Sequence, residues 1–165
     1  MWVCGVGVGV GGGGWGWGGG WAGGSRRVLD VGMPLMSTGG AAFDQEALRG
    51  KTGPELLAMK VLPPVEGLYA WQTPSVDGVL VSHAHMDHYG LLEHVHPDIP
   101  VWMGPGTQKL IELTAFYTHR ENPLKRTELF EWPHFFKVGA FTVTPHLVDH
   151  SSFGAFAFEI AAEGK

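Results

Sequence analysis

A mixed α+β fold, with strands outnumbering long helices, is what this sequence predicts. Three observations predict it. The 165 residues are 44% hydrophobic and 12% aromatic, a composition that suits one globular core. Short apolar runs bounded by Gly and Pro recur along the chain at strand length. Between them lie segments whose apolar residues repeat at helical spacing.

The elements follow in order from residue 25. "RRVLDVG" predicts a short strand ending at a glycine turn, and "GPELLAMKVLPP" a short helix stopped by Pro63 and Pro64. "DGVLVSHAH" predicts a strand whose segment 78–81 is too continuously apolar for a surface edge, so it is buried on both faces. Asp87 can cap a helix beginning near His88, with Leu91, Leu92 and Val95 on one face and Pro97 beyond its end. "VWMG" predicts a strand, and 107–117 a helix with Leu110, Ile111, Thr114 and Ala115 along one stripe. "GAFTVTPHLVDHS" and "FGAFAFEI" predict two further strands, the second alternating Phe156, Phe158 and Ile160 with Ala155, Ala157 and Glu159.

The first 24 residues are set apart as a low-complexity leader. Residues 2–21 use only Trp, Val, Cys and Gly, which all have codons spelled with G and T alone, a property of DNA rather than of folding. The stretch lacks the basic region of a secretory signal, and glycine dominates it too heavily for a membrane helix. No Lys-Ser or Lys-Thr follows it, so it is not a phosphate loop. Val6, Val8 and Val10 alternate and leave a first hairpin open.

The net charge of −5 argues against a generally basic nucleic-acid surface, although bound divalent metal reverses the local sign inside a cleft. A single cysteine, Cys4, excludes an intrachain disulfide framework and suits a reducing compartment, so the expected location is cytoplasmic. No membrane partner is expected.

"SHAHMDHYG" carries the chemistry, with three histidines and an aspartate inside six positions. His83 and His85 are two apart, so in extended chain both imidazoles project to one side, while Asp87 and His88 lie where the chain turns into a helix. Imidazole nitrogen and carboxylate oxygen suit zinc at roughly 2.0 to 2.2 Å, and such a cluster can surround two adjacent ions.

"HAHMDH" resembles the H-x-H-x-D-H signature of the metallo-β-lactamase superfamily. "VLDVGMP" is similar to the strand and turn that precede the signature, and "LVDHSSFGAFAFEI" to the segment with the next metal histidine, so the resemblance covers residues 25–165. It implies an αββα sandwich, of which this chain would carry the N-terminal half, truncated at the C-terminus. It also implies that His83, His85 and His150 hold one zinc, and that Asp87 and His88 hold part of a second. Asp30 would support the ligands from beneath, with Asp149 as the weaker candidate for that role. The implied activity is that of a zinc-dependent hydrolase. Hydroxide activated by two zinc ions attacks a phosphodiester or ester-type bond, and Asp87 orients it.

Within the superfamily, "DHSSFG" departs from the H-T-P-G-H segment of thioesterases and lactonases. It is more similar to the H-S-x-x-D segment of ribonuclease J and β-CASP nucleases, although Gly154 stands where that aspartate would be. The expected substrate is therefore RNA or a small molecule, with a thioesterase or lactonase activity as the alternative. The other histidines read as non-ligands: His146 at a rim, His94 and His96 as solvated helix-end residues, His119 and His134 outside any constellation. Trp71, Trp102 and Trp132 read as packing, with Trp71 placed to line a substrate cleft. "FGAFAFEIAAEGK" reads as the first half of a hairpin, and the resemblance implies a bridging aspartate and a last histidine that these residues do not include. The chain alone is then expected to hold at most one zinc tightly, and to be an inactive metal-binding fragment.

Overall fold

The computed structural model describes residues 17–36, 40 and 42–162. Val6, Val8, Val10 and Cys4 lie outside the described residues.

Strands β1 (Gly18–Ala22) and β2 (Ser25–Leu29) form an antiparallel hairpin in which Ala22 pairs with Ser25. The two residues between them, Gly23 and Gly24, have φ of 55° and 81°, the left-handed pair that a tight hairpin requires and that glycine adopts without strain. The expected boundary between residues 24 and 25 therefore falls inside a hairpin, and residues 18–22 belong to the sheet.

From β2 the sheet continues in parallel through β3 (Gly78–Leu80), β4 (Val101–Met103) and β5 (Thr127–Leu129), in the order β1-β2-β3-β4-β5. A second, antiparallel sheet contains β6 (Phe136–Val138), β7 (Phe141–Leu147) and β8 (Phe156–Ala162). The short strands β5 and β6 carry too few apolar residues in register for the sequence pattern to reveal them.

Burial on both faces of β3 has a direct structural expression. Val79 points into the core shared with the helices, among Leu56, Tyr89, Leu92 and Ile111, whereas its neighbour Leu80 points into the core between the sheets, with Val138, Phe141 and Val143. Adjacent residues of a strand face opposite ways, so a strand sandwiched between layers must be apolar at every position. At Gly78 a Cβ would come within 2.7 Å of Val138 Cγ1, which shows how closely the sheets approach at the start of β3.

The helices lie on the other face of the first sheet. Helix α1 (Gly53–Ala58) opens with Thr52, whose backbone and side chain both donate to the Glu55 carboxylate at 2.7 Å. It ends well before the prolines expected to stop it, with Lys60 in the left-handed region at φ 59°. Helix α2 (Met86–Tyr89) begins one residue after His85, and Asp87 lies in its first turn instead of capping it. Leu91, Leu92 and Val95 are buried as expected, but in a 3-10 turn (Leu92–His94). Helix α3 (Pro105–Tyr117) buries Thr107, Ile111 and Ala115, spaced four apart, while Leu110 and Thr114 turn outward from that stripe. Helices, first sheet and second sheet form three successive layers of an αββα sandwich; a second helical layer is not among the described residues.

Candidate metal centre

The centre lies where β3 gives way to α2. Val81 N–H bonds to the Trp102 carbonyl at 2.9 Å, and the Ser82 carbonyl accepts from Phe156 N–H at 3.0 Å. The chain is thus fastened to both sheets just before it presents His83. His85 is extended, with φ −111° and ψ 146°, and its carbonyl accepts from His88 N–H at 2.8 Å as the helix begins. This strand-to-helix change sends the two histidines toward one point and swings Asp87 and His88 to its flank.

His83 Nε2 lies 3.0 Å from His85 Nδ1. His150 arrives from the chain after β7 and meets His83 edge to face, with ring centroids 4.7 Å apart. One ligand-competent atom from each of His83, His85 and His150 lies within 4.8 Å of the other two. Ligand atoms on a common tetrahedral zinc stand roughly 3.3 Å apart, given bonds of about 2.0 Å. The His83–His85 pair matches that spacing, and His150, on exposed chain, is the member with room to close in. Three imidazoles are a donor set that suits zinc.

Asp87 and His88 form a second pair beside the trio. His88 Nε2 lies 3.4 Å from Asp87 Oδ2, and the His88 ring sits 3.9 Å from that of His83. Asp30 holds His88 from below, with Oδ2 2.8 Å from His88 Nδ1. Asp30 is 5% exposed and adopts the left-handed region at φ 56°, and it also accepts from Ser82 N–H at 2.8 Å and Ser82 Oγ at 2.9 Å. Asp149, the other carboxylate expected to support a ligand, is exposed and makes no hydrogen bond or ion pair with a described residue.

The electrostatics divide the histidines. Burial, reinforced by the neighbouring His88, His85 and His150, pushes His83 down to about 4, and Asp87 opposes this only in part. His83 is therefore neutral at pH 7, the form that binds metal. Burial also works against the charged form of His88, but the hydrogen bond and charge of Asp30, helped by Asp87, outweigh it and raise its pKa above the ordinary value.

Beyond His150 the chain turns back to β8 over a cavity of about 540 Å³ lined by 147–154. This return is pinned to the start of α3, where Thr107 Oγ1 donates to the Gly154 carbonyl at 3.2 Å. Gly154 has φ 70°, which favours glycine at the position where the nuclease segment carries aspartate. Phe153, 82% exposed, stands at the rim.

The remaining histidines lie elsewhere. His146 is exposed and pairs with Glu159 at 3.2 Å across β7 and β8. His94 and His96 are not solvated as expected: both are largely enclosed, and His94 sits against the edge of Trp71, where burial lowers its pKa. Trp71 itself stacks on Tyr69 at 4.8 Å. Sequence reasoning passed over Ser82, although it opens the quoted motif, because nothing in the spacing shows a serine reaching Asp30 across 52 residues.

Residues 51–164 match the model of the beta-lactamase superfamily domain. The chain is 30% identical over 101 residues to a ribonuclease J of Sinorhizobium meliloti, a stretch that covers 60% of this chain and 18% of that protein. Among solved structures it is similar to a protein of unknown function from Enterococcus faecalis V583, with TM-score 0.69, 20% identity, and 89% of this chain and 37% of that one covered. It is also similar to MEM-A1, a subclass B3 metallo-beta-lactamase from a soil metagenome library, with TM-score 0.54, 14% identity, and 90% and 53% covered. At these identities the structural likeness establishes the fold alone. The chain spans about a fifth of the ribonuclease J and between a third and just over half of these two structures. It belongs to the beta-lactamase superfamily and has the metallo-β-lactamase fold.

Proposed function

We propose that this chain carries the zinc-binding part of a metal-dependent hydrolase acting on phosphodiester bonds. The observation that carries the reading is the convergence of His83, His85 and His150 on one point beside Asp87 and His88. His83 through Nε2 and His85 through Nδ1 would hold the ion together with His150, while Asp87 and His88 would hold part of a second. Zinc, when bound, supplies a Lewis acid that polarises the scissile bond and makes water nucleophilic at neutral pH. Asp87 orients that water by accepting its hydrogen bond. The exposed side of His150 and the cavity over 147–154 leave the approach open to substrate. Ser151 and Ser152 lie on this approach but have no base assigned to them, so a serine nucleophile is not part of the reading.

Similarity to a ribonuclease J favours RNA or a small phosphodiester over a lactone or thioester. No helix among the described residues is long and apolar enough to cross a membrane.

A second reading has an observation of its own. Among the described residues only Asp87 and His88 serve the second position, and two protein ligands hold zinc weakly. The chain by itself would then bind one zinc without efficient turnover. Elemental analysis, run beside assays with an RNA oligonucleotide, a nitrophenyl phosphodiester, a lactone and a thioester, tests both readings. One zinc per chain, removed by chelation, with hydrolysis near background is the result expected of these 165 residues. Two tightly held zinc ions with chelator-sensitive turnover would overturn the second reading, and a chain that takes up no zinc would overturn both.

A further inference from the structure

We infer that Ser82 is a positioning residue whose hydroxyl, shared with Asp30, sets His83 in the tautomer that leaves Nε2 bare toward His85 and His150. The inference rests on the reading of His83 as a metal ligand, and it follows from counting protons around one carboxylate.

The Asp30 carboxylate only accepts. Its Oδ1 takes the Ser82 backbone N–H at 2.8 Å, and its Oδ2 lies 2.9 Å from Ser82 Oγ and 2.8 Å from His88 Nδ1. A serine hydroxyl has one proton. Once that proton is committed to Oδ2, Ser82 Oγ faces its remaining neighbours as an acceptor. His83 Nδ1 is one of them, at 3.0 Å, and must supply the N–H of that contact. A ligating imidazole is neutral and carries a single N–H, so a proton on Nδ1 leaves the lone pair on Nε2. Nε2 is the atom that lies 3.0 Å from His85 Nδ1.

The same carboxylate holds His88 directly. Nδ1–H of His88 donates to Asp30, and Nε2 is left bare beside Asp87 Oδ2 at 3.4 Å. Buried Asp30 and half-buried Ser82 therefore set a histidine in each of the two metal positions: His88 by direct contact, His83 through the serine. Ser82 is fixed in this task by its own backbone, since its N–H bonds Asp30 and its carbonyl accepts from Phe156 N–H. Without the hydroxyl, Nδ1 of His83 loses its acceptor, and the proton is free to move to Nε2, where it would bond His85 and block the lone pair.

The test uses the whole 165-residue chain, metal-free and labelled with nitrogen-15, with the tautomers read from long-range proton–nitrogen correlation spectra. In the unchanged chain both His83 and His88 are expected to carry the proton on Nδ1. In Ser82→Ala, His83 shifts toward the Nε2-protonated form while His88 stays as it was, because Asp30 still holds it. Zinc affinity, measured by competition with a chromophoric chelator, falls about tenfold in the same variant. Ser82→Thr, which keeps the hydroxyl, restores both readouts. A His83 ring protonated on Nε2 in the unchanged chain overturns the inference without need of any variant. A ring unmoved in a folded Ser82→Ala, or a folded Ser82→Thr that fails to restore it, overturns it as well. If the unchanged chain binds no zinc, the metal reading fails, whereas the tautomer spectra still decide what Ser82 does.

Discussion

Gly32 lies flush against Asp87: a methyl group at position 32 would fall 1.6 Å from the Asp87 carbonyl oxygen and 2.5 Å from His88 N. The contact belongs to a short ladder. Val31 N–H bonds the His88 carbonyl and Met33 N–H the Met86 carbonyl, each at 2.9 Å, while the Val31 carbonyl accepts from Leu91 N–H at 3.0 Å. The turn after β2 is thus the cradle in which α2 rests.

Gly32→Ala should therefore displace α2. The clash is with backbone, which cannot rotate away, so the cost should reach the upper end of what overpacking inflicts, on the order of 3 kcal/mol. Urea unfolding should show this loss, and zinc per chain should fall with it. A variant of unchanged stability and full zinc content would mean that α2 does not depend on this contact.

His85→Ala should lower zinc content sharply, because it removes one of three converging imidazoles. His94→Ala should leave zinc unchanged, since His94 packs on Trp71 and is not among the converging atoms. Elemental analysis of the two variants beside the parent separates ligand from bystander. Equal zinc in all three would refute the ligand assignment.

Thr107→Val should loosen the return of the chain after His150. Thr107 is fully buried and its hydroxyl donates to the Gly154 carbonyl, so the near-isosteric change leaves that carbonyl without its partner at a cost of about 1 kcal/mol. His150 sits on the segment released, so zinc affinity should weaken several-fold, while the His83 and His85 resonances stay in place. Chelator competition and a thermal melt on one sample measure both. An affinity equal to the parent's would show that His150 is held by other contacts.

Removal of residues 1–24 tests whether the glycine-rich start is a dispensable leader. The codon argument expects no loss, but β1 pairs with β2 over five residues, and its removal would leave β2 as an open sheet edge. The expected outcome is lower solubility and a melting transition several degrees lower. A shortened chain as soluble and stable as the parent would restore the reading of residues 18–22 as dispensable.

The sequence by itself determined the strand-to-helix motif around His83, the double burial of β3 and the existence of β7, β8 and α3. Each of these is written in local spacing, either a period of two or four or a run of apolar residues. It also singled out His83, His85, Asp87 and His88, which are neighbours in the chain. Local spacing did not reach His150 or Asp30, which entered only through the resemblance; the tertiary structure brings His150 to His83 across 67 positions and Asp30 to His88 across 58, and it alone decided that Ser82 and Gly32 matter to the site. It also turned Gly23 and Gly24, at the end of the expected leader, into a hairpin turn and enclosed His94, which local pattern had left in solvent. The physical reason is the same in each case. Periodicity records which face of an element is apolar, but a hydrogen bond or a steric contact between distant segments depends on how layers are stacked, and one residue's type does not encode the partner that stacking brings to it.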